Sequence, residues 1–190
     1  MAIKRIGVVG SGIMGAGVAE VAAASGFEVV LRSRSQEGAD AMLAGLDASL
    51  ARQVKKERID TDTAAEVRAR VTAVTALEEL AACDLVLESI VEDLPTKKEL
   101  FRELDRVCAP TAILATNTST LPVVEMAMVS ERPEQVCGIH FFNPAPAMSL
   151  VELVPAITTS DATLAKARAF VETCGKTAVT VKDQAGFVVN

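Results

Sequence analysis

The residues of this chain best suited to acid–base chemistry are a single histidine and a glutamate that follows it. His140 is the only histidine in 190 residues and ends an apolar stretch predicted to be a strand. Because imidazole titrates near neutral pH, His140 can take up and return a proton under physiological conditions. Glu152, on the next predicted strand, could bond the far ring nitrogen and stabilise the imidazolium. A histidine buried in the core with its hydrogen bonds satisfied is the alternative interpretation.

A second polar group reads Asn117-Thr118-Ser119 and follows the strand predicted over 112–115. Ligands of open α/β sheets bind at the carboxyl ends of the strands, so Asn117 and Ser119 should face the same crevice as His140. The alternative is structural, because Thr118 or Ser119 could serve only as the N-cap of the helix predicted over 121–128.

A glycine-rich turn near the N-terminus indicates a dinucleotide site. Gly10, Gly12 and Gly15 give the spacing G-x-G-x-x-G between a short apolar strand and a predicted helix. Gly10 permits a tight turn, Gly12 lets a pyrophosphate approach the backbone, and Gly15 lets the helix pack against the strand. Ile13 and Met14 lie within this loop and belong to the predicted site, where the helix N-terminus offers unpaired N–H groups to phosphate. A glycine turn without a ligand is the alternative.

The residues after the second predicted strand favour NADP(H) over NAD(H). An NAD-binding fold carries an Asp or Glu here to bond the ribose diol, whereas this chain reads Arg32-Ser33-Arg34. Ser33 can bond a 2′-phosphate and Arg34 can pair with it. If both arginines are only solvated surface residues, the site does not discriminate between the two dinucleotides. NAD(H) is then the alternative cofactor.

Apolar runs alternate with segments of helical periodicity along the chain, which indicates an α/β fold of the Rossmann type. We expect a doubly wound, mostly parallel sheet. Two successive helices, predicted over 35–57 and 63–70, form an insertion after strand two and suggest a function of their own. The apolar end of the sequence reads as the beginning of another element. We therefore predict a nucleotide-binding domain over 1–185 and the start of a further domain at 186–190.

Composition argues against several classes of partner. The net charge is −6 and no basic tract is present, so neither nucleic acid nor a membrane surface is expected as a partner. No apolar run reaches the length of a membrane span, and the first residues lack the features of a signal peptide. The four cysteines are widely spaced and accompany one histidine, so no metal site is predicted. A cytoplasmic location is the expectation.

Several blocks occur in an order that strongly resembles the N-terminal domain of the 3-hydroxyacyl-CoA dehydrogenases, particularly the bacterial 3-hydroxybutyryl-CoA dehydrogenase branch. The resemblance extends from about residue 3 to residue 190. Besides the glycine loop, the blocks are 85–92 (LVLESIVE), 115–121 (ATNTSTL), 138–147 (GIHFFNPAPA), 150–154 (LVELV) and 186–190 (GFVVN). The HFFNP and GFVVN sequences are the most specific of them.

The resemblance implies a role for each matching residue. It makes His140 the catalytic histidine, Glu152 the carboxylate paired with it, and Ser119 the serine that bonds the 3-oxygen of the substrate. Asn190 would complete the active site near the acyl group. Four further matches are the nucleotide contacts Glu92 and Lys97 and the coenzyme A contacts Ser49 and Lys56.

The resemblance also implies an activity and partners. The reaction would be reversible hydride transfer between a 3-hydroxyacyl-CoA and a 3-oxoacyl-CoA, with a homodimer formed through a C-terminal helical domain that this sequence lacks. One alternative is another β-hydroxyacid dehydrogenase with a lysine base, against which the HFFNP block argues. The other is a nucleotide-binding or redox-sensing module without catalysis, which the presence of both His140 and Glu152 disfavours.

Overall fold

Eight strands and six α-helices alternate through residues 3–184 and 186–187, the part of the chain that this computed structural model describes. The strands are β1 (Arg5–Val9), β2 (Glu28–Arg32), β3 (Val71–Val74), β4 (Leu85–Glu88), β5 (Ile113–Thr116), β6 (Val136–Phe141), β7 (Leu150–Pro155) and β8 (Thr177–Thr180). The helices are α1 (Ile13–Ala24), α2 (Gln36–Lys55), α3 (Thr61–Ala69), α4 (Leu94–Val107), α5 (Val123–Ala127) and α6 (Asp161–Thr173), and short 3-10 turns occupy Leu77–Leu80 and Pro133–Gln135.

The strands form one sheet in the order β3-β2-β1-β4-β5-β6-β7-β8. Among the described strands, each neighbouring pair is parallel except β6 with β7. Strand order reverses direction at β1, which lies between β2 and β4, and open α/β sheets bind their ligands at such a point. The predicted doubly wound, mostly parallel sheet is confirmed.

Helices cover both faces of the sheet. One face carries α1, α2, α3 and α6, and its core includes Val18, Leu46 and Phe170. The other face carries α4 and α5, and its core includes Phe101 and Met126. Because helices pack on both sides, every residue of β4, β5 and β6 is buried, and most of these residues are apolar. This double burial explains why these strands are recognisable as apolar runs in the sequence.

The antiparallel pair β6–β7 brings the two predicted acid–base residues together. In its register His140 stands directly opposite Glu152, and side chains of directly opposed residues lie on the same face of a sheet. Gly138 permits the close packing nearby, since a Cβ there would lie 2.8 Å from the Cβ of Val154. The pairing of one strand with the next therefore places the carboxylate beside the imidazole.

The helical pair after strand two is present as α2 and α3. Ser35 caps α2 by accepting from the N–H of Gly38 at 3.1 Å, and Asp60 caps α3 by accepting from the N–H of Thr63 at 2.7 Å. Leu46 and Leu50 are buried on the inner side of α2. A separate function for the pair stays a prediction.

Within the described residues, no helix has the length and apolar character needed to cross a membrane. The domain boundary predicted at 185–186 stays a prediction, and residue 185 lies outside the described residues.

Candidate functional site

A crevice of about 1320 Å³ runs along the edge of the sheet where β1, β4, β5 and β6 end. Its walls come from the glycine loop, the segments that follow β2, β4, β5 and β6, and one side of α4. The lining residues are 9–14, 32–34, 89–92 and 140–143, together with Thr96, Glu99, Leu100, Glu103, Asn117, Ser119 and Thr120. The groups predicted from the sequence at three separate strand ends thus meet in one space.

The glycine loop has the geometry that a phosphate site requires. Gly10 has φ +132°, and a Cβ there would lie 2.2 Å from the carbonyl oxygen of Ser89. A Cβ at Gly15 would lie 2.2 Å from the carbonyl oxygen of Gly10, so α1 packs closely on the loop. A Cβ at Gly12 would meet no heavy atom within 4 Å, so the missing side chain leaves space for a ligand. In the described chain no side chain caps α1, which leaves its first N–H groups available for phosphate.

The acid–base residues form a continuous series of hydrogen bonds. Nδ1 of His140 lies 2.8 Å from Oε2 of Glu152, and Nε2 lies 3.1 Å from Oγ of Ser119. His140 is 4% exposed and Glu152 is 1% exposed. A carboxylate only accepts, so Nδ1 carries the proton that it shares with Glu152, and Nε2 of the neutral ring is the acceptor. The lone pair of Nε2 therefore points toward the Ser119 hydroxyl at the crevice.

Two aromatic side chains pack against His140, and an amide side chain bonds the backbone beside it. The ring of Phe142 lies 4.6 Å from the imidazole, and the ring of Phe187 lies 5.7 Å from it, between ring centroids. Oδ1 of Asn117 accepts from the N–H of Phe141 at 2.8 Å. Asn117 thus links the end of β5 to the end of β6 while it also lines the crevice.

Glu92 lines the crevice, whereas Lys97 lies beneath it. Oε1 of Glu92 accepts from the N–H of Ser119 at 3.0 Å and from the Thr118 hydroxyl. Burial alone would raise the pKa of Glu92, but bonds from Thr118, Lys97 and Ser119 outweigh it and hold that pKa below its ordinary value. Lys97 is 1% exposed and is absent from the lining. Its ammonium pairs with Glu88 at 2.5 Å.

The segment that follows β2 forms the far end of the crevice. Ser33 and Arg34 both line it, and the serine is buried whereas the arginine is exposed. Nε of Arg32 donates to the carbonyl of Thr75 at 3.0 Å. Burial lowers the pKa of Arg32, and the charge of Arg34 lowers it further, while Glu103 across the crevice acts in the opposite direction. The preference for NADP(H) stays a prediction. The cations Arg32 and Arg34 lie at this end of the crevice, and so does the carboxylate of Glu103.

Three predicted residues lie away from the crevice or outside the described chain. Ser49 is half-buried on α2, and Lys56 is exposed at the end of that helix; neither belongs to the lining. Asn190 lies outside the described residues. Their assigned roles stay predictions.

Sequence reasoning missed the polar network behind Ser119 and the aromatic contacts of His140. Glu88 and Thr116 belong to that network, joined by a bond of 2.7 Å. The sequence carried one sign of a role for Glu88, because a carboxylate there ends the otherwise apolar run 85–88. Phe142 lies inside the HFFNP block but was assigned no role of its own.

The cysteines do not contribute a reactive group to this site. Burial raises the pKa of Cys83 and of Cys137 to about 12. It raises the pKa of Cys108 and of Cys174 to about 11. Among the described residues, no group of three or more His, Cys, Asp or Glu side chains could hold a metal ion.

Comparison with known proteins gives one consistent family. The sequence profile described as "3-hydroxyacyl-CoA dehydrogenase, NAD binding domain" matches residues 5–184. The probable 3-hydroxybutyryl-CoA dehydrogenase of Bacillus subtilis is 44% identical over 100% of this chain and 66% of its own length. The 3-hydroxybutyryl-CoA dehydrogenase of Bradyrhizobium diazoefficiens is 42% identical over 99% of this chain and 64% of its own length.

Among solved structures, FadB2 of M. tuberculosis has a TM-score of 0.98 at 40% identity, over 100% of this chain and 67% of its own. The chain thus spans about two thirds of the length of the curated relatives it matches.

Proposed function

Since the chain belongs to the 3-hydroxyacyl-CoA dehydrogenase family, we propose that it serves in the reversible oxidation of a 3-hydroxyacyl-CoA to a 3-oxoacyl-CoA with a nicotinamide dinucleotide. The first proposed substrate is 3-hydroxybutyryl-CoA, because that compound appears in the names of both relatives described above. The observation that carries the proposal is the hydrogen-bonded series of Ser119, His140 and Glu152 at one end of the crevice.

In the proposed reaction His140 acts as general base and general acid. During oxidation Nε2 accepts the proton of the 3-hydroxyl group, and during reduction it returns a proton to the 3-oxygen. Glu152 holds the ring through Nδ1 and stabilises the imidazolium that forms. Ser119 donates to the 3-oxygen and keeps it beside Nε2. The nicotinamide ring, when bound, supplies the hydride acceptor or donor.

The loop and the α1 N-terminus fit the dinucleotide that this reaction needs. The open space at Gly12 and the uncapped N–H groups of α1 would receive the pyrophosphate. We propose NADP(H) as the preferred form, with NAD(H) as the alternative. The support is that Ser33 stands where a carboxylate would bond the ribose diol, and that Arg34 offers an exposed guanidinium beside it.

Coenzyme A is the proposed ligand of the exposed end of α2. Arg52, Lys55 and Lys56 crowd that end, and cations suit the phosphates of the coenzyme. Ser49 and Lys56 are its proposed contacts. Asn190 beside the acyl group, a homodimer of the complete protein and a cytoplasmic location complete the proposal.

The test is an initial-rate assay of the complete protein with acetoacetyl-CoA and either NADPH or NADH. We expect consumption of the reduced dinucleotide that depends on acetoacetyl-CoA and is faster with NADPH. The His140→Gln variant is the matched control, because it retains a side chain of similar size without a group that titrates near neutral pH. Binding of the dinucleotide without any His140-dependent turnover would reject the proposed reaction and favour a non-catalytic nucleotide-binding module.

A further inference from the structure

The connection between β6 and β7 carries part of the crevice wall on a mostly exposed segment. Residues 142–149 make this connection, and Phe142 and Asn143 at its start line the crevice. The ring of Phe142 lies 4.6 Å from the imidazole of His140, between ring centroids. Of the residues 144–149, only Ala145 is buried. Because exposed connections are ordinarily the more mobile parts of a fold, the contacts that hold this one affect the crevice.

One ammonium group holds the connection by its backbone. Nζ of Lys176 donates to the carbonyl oxygens of Ala145 at 2.9 Å, Pro146 at 3.2 Å and Met148 at 2.8 Å. An ammonium has three N–H donors, so these bonds use all of them. Hydrogen bonds from a charged donor are roughly twice as strong as bonds between neutral groups. Lys176 therefore gathers several carbonyls of the connection around one charge.

The position of Lys176 is itself fixed by the end of α6. Gly175 has φ +68°, and its N–H donates to the carbonyl of Glu172 at 2.9 Å. The N–H of Lys176 donates to the carbonyl of Val171 at 3.2 Å. This pair of bonds is the Schellman motif, which ends a helix with a residue in the left-handed conformation. The ammonium thus extends from a backbone of defined geometry.

Two further contacts hold the same connection. A Cβ at Gly17 of α1 would lie 3.2 Å from the Cβ of Ala145 and 3.4 Å from Cδ of Pro146, so the connection packs closely on that helix. The N–H of Thr177 donates to the carbonyl of Ser149 at 2.7 Å, which joins the end of the connection to the start of β8. The ammonium of Lys176 bonds the segment that lies between the crevice and this junction.

We propose that Lys176 is a positioning residue for the reaction and acts through the connection that it bonds. By holding the carbonyls within 145–148, it keeps Phe142 against the imidazole of His140 and Asn143 at the crevice wall. Because backbone carbonyls accept the bonds, a connection of different sequence or length can still meet the ammonium. The inference rests on the proposed function, since it concerns the rate of that reaction.

The test compares Lys176→Met with Arg168→Met in the complete protein. Methionine keeps the unbranched apolar stem of lysine but has no donor for the carbonyls. Arg168 lies on α6, and its guanidinium donates to the carbonyl of Ala178 at 2.9 Å and to the hydroxyl of Thr180 at 2.7 Å. Arg168→Met is therefore a matched control, because it removes the bonds of a cation to the same edge of the sheet and leaves the connection untouched.

Hydrogen exchange of the peptide that covers 142–149 measures how firmly the connection is held, without any turnover. The N–H groups of Ala147 and Met148 donate to the carbonyl of Pro144 at 3.0 and 3.1 Å. In Lys176→Met these amides should exchange about tenfold faster, the change that loss of one charge-assisted hydrogen bond causes in a local opening equilibrium. Arg168→Met should keep the exchange of the parent protein in this peptide.

Initial rates with acetoacetyl-CoA measure the consequence for the reaction. The kcat of Lys176→Met should fall by about 10²-fold, the loss that a misplacement of roughly 1 Å causes. Its KM for the dinucleotide should be unchanged, because the glycine loop does not contact the connection through Lys176. The kcat of Arg168→Met should match that of the parent protein.

A parental kcat in Lys176→Met would overturn the proposal. An equal fall of kcat in Arg168→Met would also overturn it, because general loosening of this edge of the sheet would then explain both losses. Parental exchange at 142–149 would show that the ammonium does not hold the connection. A parent protein without turnover of acetoacetyl-CoA rejects the proposed function instead, and the exchange comparison still decides whether Lys176 holds the connection.

A second variant covers failure of Lys176→Met to fold. Lys176→Gln keeps a polar head with two N–H donors but is shorter and uncharged. Exchange at 142–149 should therefore rise and kcat should fall, each by less than in Lys176→Met. Parental exchange or a parental kcat in Lys176→Gln would likewise overturn the proposal.

Discussion

The two ends of the crevice are built in different ways. At one end, His140 and Glu152 are almost fully buried and hydrogen-bonded to one another, and Ser119 is bonded to the imidazole. At the other end, Arg34 is exposed on the loop that follows β2. The first end depends on strand pairing and buried contacts, whereas the second depends on charge at the surface.

This difference separates the proposed chemistry from the proposed choice of dinucleotide. Proton transfer needs the reacting atoms within hydrogen-bond reach, which a rigid sheet provides. Discrimination between NADP(H) and NAD(H) needs only the presence or absence of charge near one hydroxyl group. We therefore expect substitutions at the buried end to affect rate, and substitutions at the exposed end to affect dinucleotide affinity.

The largest expected effect is at His140. The His140→Gln variant should lose roughly 10²–10⁴-fold in kcat, the usual contribution of a general acid–base group, with dinucleotide affinity unchanged. Initial rates with acetoacetyl-CoA and a fluorescence titration of the dinucleotide measure the two quantities separately. Normal turnover in this variant would remove the acid–base assignment and with it the contrast between the two ends.

A smaller loss of rate is expected at Glu152. Glu152→Gln can still accept the bond from Nδ1 but lacks the charge that stabilises the imidazolium, so kcat should fall by about 10²-fold. Glu172→Gln is the control, because Glu172 is an exposed carboxylate on α6. Equal rates for the two variants would show that the charge at Glu152 is not used.

At the end of the crevice that carries Arg34, the Ser33→Asp variant should change dinucleotide affinity without changing the reaction. Two unit negative charges about 4 Å apart repel by about 1 kcal/mol in bulk water and about 4 kcal/mol near a protein surface, so a carboxylate beside the 2′-phosphate should weaken NADPH binding by about fivefold or more. Ser33→Ala is the steric control and should weaken NADPH binding less, since it adds no charge. Titrations with both reduced dinucleotides test this. If the parent protein binds NADH as tightly as NADPH, the proposed preference is wrong.

The smallest expected effect is at Cys137, which shares β6 with His140 and so reports on the rigidity of the buried end. Burial raises its pKa to about 12, and a thiol is a weak nucleophile until it ionises. At pH 8 a disulfide reagent such as DTNB should leave it unmodified in the folded protein. All four cysteines of the chain should react after denaturation. Rapid modification of Cys137 in the folded state would show that the sheet opens beneath His140.

The parts predicted correctly from the sequence are those whose cause is local. The glycine loop could be identified because its conformation needs glycine at Gly10 and close packing at Gly15. The strands β5 and β6 could be identified because double burial makes them apolar up to Ala115 and Ile139. The expectation that Glu152 would bond the far nitrogen of His140 is confirmed by the 2.8 Å contact.

The parts that sequence could not provide depend on contacts between distant residues. The helix predicted over 121–128 begins only at Val123, and Asp183 accepts from the N–H groups of Val123 and Val124 at 2.8 and 2.9 Å. No local pattern indicates a cap from so far along the chain. The burial of Lys97 was equally hidden, since a lysine on an amphipathic helix ordinarily faces solvent.

The antiparallel register of β6 and β7 has a consequence for how relatives of this protein can diverge. The connecting residues 142–149 lie outside both strands, so a change in their number leaves the opposed positions of His140 and Glu152 intact. An insertion or deletion of one residue inside either strand shifts the pairing and turns the partner to the opposite face of the sheet. Active homologues should therefore differ in the length of the connection between β6 and β7, whereas the lengths of the two strands should be constant.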